Sequence, residues 1–342
     1  MFIRNAWYIA AWMHEVTEQP LARRILNEPV VLFRDKQGNI GALVDRCCHR
    51  AAPLSLGQVV DAGLQCGYHG LTFDCSGQCV FVPGQDKIPQ KARVRSYPVV
   101  EKDEFVWIWM GEAEKADVSK IIDYPYHNDY KKWPHKHGLY HVKANYMLLV
   151  DNLMDLTHIG YVHGNTIGGS PMTHVQAQME TTPTEHGLKF VRWMPGSVAP
   201  PTYAKAYPFK GKVDRWQEFE YIAPGNIIQW SGAIDVGNNA MENREQPGFS
   251  LRLFHGLTPE TEDSSLYFWS TANGYRQDEP EACEQLFQEI GKAFLEDKAV
   301  VEGQLERLRE LGDGMLVDIV SDRARIHMRR TVERMLTEES TV

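Results

Sequence analysis

Cys47-Cys48-His49-Arg50 and Cys66-Gly67-Tyr68-His69-Gly70 are the two stretches that say most about the fold of this chain. Each has a cysteine followed closely by a histidine, with one residue between them in the first stretch and two in the second. Sixteen residues separate the two pairs. Small or apolar residues follow each pair, Ala51-Ala52-Pro53-Leu54 and Gly70-Leu71-Thr72-Phe73, so we expect each pair at the tip of a closed loop.

Two thiolates and two imidazoles in this order suit a [2Fe–2S] centre of the Rieske type, in which cysteines bind one iron and histidines bind the other. Structural zinc is the rival, because it also takes two cysteines and two histidines. Zinc-finger patterns, however, group the cysteines together and the histidines together, whereas each half of this pattern contributes one of each. A chance cluster of small buried cysteines is a weaker alternative. The pattern therefore predicts a cluster that passes one electron at a time.

The composition describes an ordinary globular protein. The chain has 342 residues, enough for two domains with substantial cores, and is 43% hydrophobic and 24% charged. A net charge of −9 argues against nucleic-acid binding, which favours a basic surface. No apolar run approaches the ~18 residues of a membrane span, and residues 1–13 lack the plan of a signal peptide. The six cysteines show no disulfide framework, so we expect a reducing, cytoplasmic setting.

The pattern of strands and helices predicts two different domains. Residues 4–110 are rich in β-strand signals, including hairpins at 29–44 and 99–110. Beyond Gly111, short strands alternate with helical segments, and a long helix is expected at 281–311. We expect a small all-β domain over 1–112, followed by an α+β domain over 113–342 in which helices cover an antiparallel sheet.

A second stretch with metal-binding chemistry runs from Asn152 to His163. Asn152, Asp155 and His158 recur at steps of three, so they share one side of a helix. His163 is five residues beyond His158, and a helix end or a π-bulge near Gly160 would bring the two imidazoles together. Two histidines and a carboxylate with open positions bind non-haem Fe(II). A pair of ordinary core or surface histidines is the alternative.

The expected long helix supplies a carboxylate. Its apolar stripe includes the position of Asp297, whereas Glu296 and Glu302 lie off the stripe. A carboxylate that faces a core needs a partner or a metal to offset its desolvation. Asp297 is therefore the best candidate for the third ligand.

With both metal patterns in place, the chain resembles the α-subunits of Rieske non-haem iron oxygenases over essentially its full length. Four stretches are similar to the vanillate O-demethylase branch, which includes dicamba demethylase and toluenesulfonate methyl-monooxygenase. They are Asn5-Ala6-Trp7-Tyr8, Asn152-Leu153-Met154-Asp155-Leu156-Thr157-His158, Asp214-Arg215-Trp216-Gln217 and Thr258-Pro259-Glu260-Thr261-Glu262.

The resemblance implies roles for individual residues. Asp155 would link His158 to His69 of the partner subunit in a head-to-tail homotrimer, although a hydrogen-bonding role near the helix end is compatible with that. Asn152 would lie near the iron without being an obligate ligand. The implied cluster ligands are Cys47, His49, Cys66 and His69; the implied ligands of the mononuclear Fe(II) are His158, His163 and Asp297.

The resemblance also implies the reaction. Relatives of this kind use O₂ to demethylate or hydroxylate anionic aromatic compounds, and a separate flavin and iron–sulfur reductase brings them electrons from NAD(P)H. The chain itself shows no flavin or nicotinamide fingerprint. A cis-dihydroxylating dioxygenase and a non-catalytic Rieske electron carrier are the alternatives. The expected substrate contacts are His255, Gln229, Trp230 and Arg252. A structural role on a strand is the alternative for His255, and core packing is the alternative for Trp230.

Overall fold

The computed structural model describes residues 1–314 and 316–340. They divide into two compact units, residues 1–123 with 258–262 and residues 124–257 with 263 onward. Within the described residues, no helix has both the length and the apolar character that crossing a membrane requires.

The first unit consists of short antiparallel strands. They form three small sheets, ordered β1-β10-β9, β2-β3-β4 and β5-β6-β7-β8. The strands are β1 (Trp7–Trp12), β2 (Leu21–Ile25), β3 (Glu28–Arg34), β4 (Ile40–Val44), β5 (Gln58–Val60), β6 (Gly63–Gln65), β7 (Thr72–Phe73), β8 (Cys79–Phe81), β9 (Val99–Lys102) and β10 (Phe105–Trp109). Both predicted hairpins are present, and the all-β prediction for this part of the chain is confirmed.

Local sequence explains the β3–β4 hairpin. The Asp35 carboxylate accepts the backbone N–H groups of Gln37 and Asn39 at 2.9 and 2.8 Å, and Gly38 has a φ of +88°. An aspartate at the start of a turn and a glycine in the left-handed region are what a tight turn needs. The buried side chains of the two strands, Phe33 and Leu43 among them, then pack with the cysteines of the predicted cluster in one apolar core.

The second unit contains a seven-stranded antiparallel sheet, ordered β11-β17-β16-β15-β14-β13-β12. Its strands are β11 (His135–Val142), β12 (Gln178–Thr184), β13 (Gly187–Ser197), β14 (Val213–Ile222), β15 (Asn226–Asp235), β16 (Phe249–Thr261, whose last residues belong to the first unit) and β17 (Ser264–Asn273). The helices are α1 (Tyr146–Met154), α2 (Ile159–Val162), α3 (Pro171–Val175), α4 (Pro201–Ala206), α5 (Pro280–Leu311) and α6 (Arg323–Ser340). The α+β prediction is confirmed.

Helix α5 places the predicted carboxylate. Proline occupies its first turn, and Gly312, with a φ of +72°, ends it. Trp269 of β17 stacks on Phe287 of α5 at 4.6 Å between ring centroids, and Gly291 lets the helix approach the indole. Asp297 lies six residues beyond Gly291 on the same helix and is 5% exposed.

Candidate functional site

The first predicted ligand set lies on two loops of the first unit. One loop follows β4, and the other connects β6 and β7. In each loop the fourth N–H group after the cysteine donates to that cysteine's carbonyl, from Ala51 to Cys47 and from Gly70 to Cys66, both at 3.0 Å. Both donors have positive φ, +59° at Ala51 and +73° at Gly70. The two loops therefore close in the same way, although only one has glycine at the closing position.

The four side chains of these loops differ in exposure. Cys47 and Cys66 are each 2% exposed, whereas His49 and His69 are exposed, with ring centroids 4.6 Å apart. Burial, and after it the adjacent Cys66 thiol, raises the pKa of Cys47 to about 11. Two thiolates at this place therefore need a bound cation beside them. The donor set fits a [2Fe–2S] cluster with its cysteine side buried and its histidine side open to solvent.

The second predicted ligand set comes together in the second unit. The ring centroids of His158 and His163 are 5.4 Å apart. The Asp297 Oδ1 atom lies 3.4 Å from His158 Nε2 and 3.0 Å from His163 Nε2. Ligand atoms of the three residues all lie within 4.8 Å of one another. His163 and Asp297 are buried, and His158 is half-buried.

Hydrogen bonds fix which histidine nitrogens face Asp297. His158 Nδ1 lies 2.6 Å from the carbonyl oxygen of Asp155, and His163 Nδ1 lies 2.7 Å from a carboxylate oxygen of Glu296. Both Nδ1 atoms must donate, so in the neutral imidazoles both Nε2 lone pairs point at the Asp297 oxygen. Three acceptors that converge in this way require a cation between them. The residues therefore fit a divalent metal held by two histidines and a carboxylate.

The electrostatics of the centre agree with this conclusion. Burial alone raises the pKa of the Asp297 carboxyl, but the hydrogen bonds and charges of His158 and His163 outweigh it and hold that pKa well below its usual range. Burial lowers the pKa of His163, yet Asp297 and Glu296 outweigh it and leave the pKa raised. The low pKa keeps the Asp297 carboxylate ionised, so it is available as an anionic ligand for a bound cation.

The chain reaches this geometry by a broken helix. Asn145 caps α1, and the helix stops at Asp155, whose carboxylate accepts the N–H of Thr157 at 3.0 Å and starts a single 3₁₀ turn over Leu156–His158. The helix expected to carry Asn152, Asp155 and His158 therefore ends before His158, and the π-helical turn at Gly164–Gly168 follows His163 rather than separating the two histidines.

Gly160 has a different role from the one expected. A Cβ atom there would lie 2.5 Å from the Cα atom of Pro171, so glycine is needed because α3 passes close by. A helix irregularity at this residue is not what joins the two histidines.

A pocket opens beside the predicted iron site. The sheet contributes alternate residues of three neighbouring strands, and the helices contribute the predicted ligands and apolar side chains. The sheet residues of the lining are Arg215, Gln217, Phe219, Gln229, Leu251 and Leu253. Asn152 also lines the pocket, and its amide donates to Asp297 at 3.0 Å.

Of the four expected substrate contacts, Gln229 is the one that lies in the pocket wall. His255 is 0% exposed and lies behind Gln229, with Nε2 2.9 Å from Gln229 Oε1 and Nδ1 2.7 Å from the Tyr267 hydroxyl. Burial lowers the pKa of His255 to about 3, so the imidazole is neutral. His255 therefore orients Gln229 and does not itself line the pocket.

Trp230 and Arg252 belong to the other face of the sheet. They are paired across β15 and β16, and the Arg252 guanidinium lies 3.8 Å from the centroid of the Trp230 ring. Since neighbouring residues of a strand point to opposite faces, the residues beside them, Gln229 and Leu253, face the pocket instead. The structure keeps Trp230 and Arg252 together but outside the pocket lining.

Three residues of the site were missed by the sequence analysis. Arg215 and Gln217 stand in a quoted stretch, and the period of two along β14 would have placed both on one strand face with Phe219. Glu296 was set aside because it lies off the apolar stripe of α5, yet it is the acceptor that orients His163. Its position directly before Asp297 was the available signal.

Known proteins share these features over the whole chain. A model of the Rieske [2Fe-2S] domain matches residues 6–98, and a model of the vanillate O-demethylase oxygenase C-terminal domain matches residues 142–338. The chain is a Rieske oxygenase of the vanillate O-demethylase family. The match to a Rieske domain excludes the zinc alternative for the paired cysteine–histidine motif.

Two relatives and one solved structure illustrate the likeness. The toluene-4-sulfonate monooxygenase system iron-sulfur subunit TsaM1 of Comamonas testosteroni is 39% identical, over 99% of each chain. The vanillate O-demethylase oxygenase subunit of Pseudomonas sp. (strain HR199 / DSM 7063) is 34% identical, over 99% of this chain and 96% of the relative. The crystal structure of dicamba monooxygenase bound to dicamba superposes with a TM-score of 0.91 at 34% identity, covering 100% of this chain and 99% of that one.

Family membership establishes the class of protein. The Rieske oxygenase is an oxidoreductase, the oxygenase component of a monooxygenase, and it has a Rieske [2Fe–2S] domain. A carrier that only transfers electrons would have no use for the second unit, with its histidines, carboxylate and pocket.

Proposed function

We propose that this Rieske oxygenase hydroxylates a methyl carbon of an anionic aromatic compound, either an aryl methyl ether or an aryl methyl group. The observation that carries the proposal is the convergence of His158, His163 and Asp297 at the end of a largely apolar pocket. The printed names of the relatives support the substrate class, since toluene-4-sulfonate and vanillate are both aromatic acids.

The proposed metal assignments follow the geometry. Residues 1–112 would hold the cluster through Cys47, His49, Cys66 and His69, and residues 113–342 would hold Fe(II) through His158, His163 and Asp297. When bound, the cluster supplies single electrons and the mononuclear iron supplies the activation of O₂.

The chain's own residues bind, orient and exclude water. Glu296 holds the His163 ring in place and Asn152 holds the Asp297 carboxylate, through the hydrogen bonds described above. The apolar walls Phe219, Leu253 and Phe294 exclude bulk water and favour an aromatic ring. A methyl group directed at the metal end of this pocket is the group we expect to react.

The products of the reaction distinguish the proposed function from its alternatives. Demethylation consumes one aryl methyl ether, one O₂, two electrons and two protons, and yields a phenol, formaldehyde and water. Incubating the iron-loaded enzyme and a reductase with methoxybenzoates under ¹⁸O₂ should release formaldehyde in proportion to O₂ uptake; with toluene-4-sulfonate it should yield the benzylic alcohol. A cis-diol in place of these products would establish the dioxygenase alternative and reject the proposal.

A separate reductase and self-association complete the proposal. We expect a flavin and iron–sulfur reductase to deliver electrons from NAD(P)H; turnover with NADH and this chain alone would contradict it.

We also propose a head-to-tail homotrimer in which Asp155 meets His69 of the partner subunit. Supporting this, the Asp155 carboxylate accepts a hydrogen bond from Ser321 at 3.2 Å, beside a segment whose apolar side chains are exposed: Leu316, Val317, Ile319 and Val320. Light scattering of the purified protein tests the trimer.

We propose that the protein is located in the cytoplasm. None of the six cysteines, all of which lie in the described part of the chain, forms a disulfide, which agrees with a reducing compartment such as the cytoplasm. Measuring which cell fraction contains the protein would test it.

A further inference from the structure

Arg215 has an unusual environment for a charged side chain. It is 1% exposed and lines the pocket beside the predicted iron site. Its two terminal nitrogens donate to the carbonyl oxygens of Gly168 and Ile167, at 3.0 and 2.8 Å. Its Nε–H is buried and has no hydrogen-bond partner. Among the described residues, no carboxylate pairs with this guanidinium group.

The surroundings of Arg215 add positive charge rather than neutralise it. Arg192, 3% exposed, donates to the carbonyls of Leu156 and His174 and to the amide oxygen of Gln217, and it also lacks a salt bridge among the described residues. Burial, followed by the charge of Arg215, lowers the pKa of His174 to about 3, so His174 is neutral. Buried charges in proteins are normally paired because desolvation is costly. A pocket wall with an unpaired guanidinium group therefore has the electrostatics of an anion site.

Two amides present their donor ends beside Arg215. The Gln217 oxygen accepts from Arg192 at 3.0 Å, which leaves its NH₂ group as the free end. The Gln229 oxygen lies 2.9 Å from His255 Nε2, and the amide nitrogen donates one hydrogen to Ser231 at 2.7 Å, which leaves the second. Gln217 pairs with Ser231 across β14 and β15, so the two amides are neighbours on the pocket face. An acceptor-only group suits this set of donors.

We propose that Arg215 is the specificity residue of this oxygenase: its guanidinium group pairs with the sulfonate or carboxylate of the substrate, and the amides of Gln217 and Gln229 donate to the same group. The inference rests on the proposed function and assigns the acid recognition expected there to Arg215. The acid end of the substrate then lies at the sheet wall, and its methyl group points to the metal.

A structural role is the rival explanation. Arg215 could serve only to hold the carbonyls of the π-helical turn that follows His163. That role would affect charged and uncharged ligands equally. A recognition role changes the preference between an acid and its uncharged amide. The comparison of two ligands of equal shape separates the two explanations.

The test measures binding to the metal-loaded enzyme by calorimetry, with two ligand pairs: toluene-4-sulfonate against toluene-4-sulfonamide, and 4-methoxybenzoate against 4-methoxybenzamide. The wild type should bind the acid of at least one pair more tightly. Arg215→Gln should reduce that preference about 10- to 100-fold. Arg215→Lys, which keeps the charge, should retain most of it. Arg252→Gln is the matched control, since Arg252 is a sheet arginine that stacks on Trp230 outside the pocket lining, and the preference should not change.

A second variant keeps the inference testable if Arg215→Gln fails to fold. Gln217→Glu places a carboxylate beside both arginines, so it should fold and should abolish binding of the acid while sparing the amide. An acid preference that survives in Gln217→Glu, or in a folded Arg215→Gln, overturns the assignment, as does a wild type without any acid preference. Failure of the proposed function looks different: the acids would bind with the expected preference, but no substrate would yield formaldehyde or a benzylic alcohol.

Discussion

Replacing Glu296 by alanine should weaken binding of the mononuclear metal without unfolding the protein. Glu296 accepts the Nδ1–H of His163 at 2.7 Å, and so it fixes the tautomer and the direction of a predicted ligand. The carboxylate does not touch the metal position itself. Its removal therefore leaves all three ligands present but frees one ring to rotate.

The size of the effect follows from the geometry. Groups that orient metal-binding histidines typically contribute about 10- to 100-fold in metal affinity, equivalent to about 1.4–2.7 kcal/mol. The Glu296 side chain is 32% exposed, so solvent screens part of this interaction. We therefore expect the lower half of the range, an increase in Kd of about 10- to 30-fold.

The assay is an anaerobic titration of the iron-depleted protein with Fe(II) or Co(II). Glu302→Ala is the matched control: Glu302 is on the same helix, is 25% exposed, and pairs with Lys298 and the backbone N–H of Lys143. An unchanged Kd for Glu296→Ala would refute the orienting role. An equal loss in Glu302→Ala would show that the effect is one of general charge.

Three further predictions concern other parts of the chain. Asp155→Asn keeps the hydrogen bonds that start the 3₁₀ turn but removes the charge, so both metals should stay bound while turnover falls severely; near-normal turnover would reject the bridging role of Asp155. Burial raises the pKa of Glu28, but a hydrogen bond from Tyr97 and nearby guanidinium groups outweigh it and leave the pKa below 4.5. The ionised Glu28 carboxylate thus stabilises the folded protein above pH 4.5, and this contribution is lost as the pH falls below that value. Glu28→Gln should therefore lower the urea midpoint near neutral pH, while in acid its midpoint should equal that of the wild type. A difference in midpoint that does not change with pH would contradict this. A Cβ atom at Gly138 would lie 2.1–2.4 Å from the Trp269 indole, so Gly138→Ala should destabilise the protein by about 1–3 kcal/mol. Combining it with Trp269→Leu should cost less than the sum of the two single changes in urea unfolding, and strict additivity would show that no clash occurs.

The edge strand β12 could not be predicted from its own residue pattern. Gln178–Thr184 is almost entirely exposed, so its residues do not alternate between apolar and polar. Its strand conformation comes from pairing with β13 and not from its own side chains. The long helix at 281–311 was predictable, by contrast, because burial of one face imposes a period on the sequence.

The sequence by itself predicted the two sets of metal ligands, because ligand chemistry restricts the residue type at each of those positions, and its strand and helix patterns gave the class of each domain. Cys47, His49, Cys66 and His69 could be read from spacing within two short loops, and the family comparison confirmed the Rieske domain that they predict. The three-dimensional structure alone decided which side chains share the pocket. Gln229 and Trp230 are neighbours in the chain but face opposite sides of the sheet. Arg215 lies on β14, and the pairing of β14 with β15 places it in the same pocket lining as Gln229 and the α5 residue Asp297. The hydrogen-bond partners of Arg215, Gln217 and Glu296 are distant in sequence, so a local pattern can indicate the face on which each residue lies but not the contact that it makes.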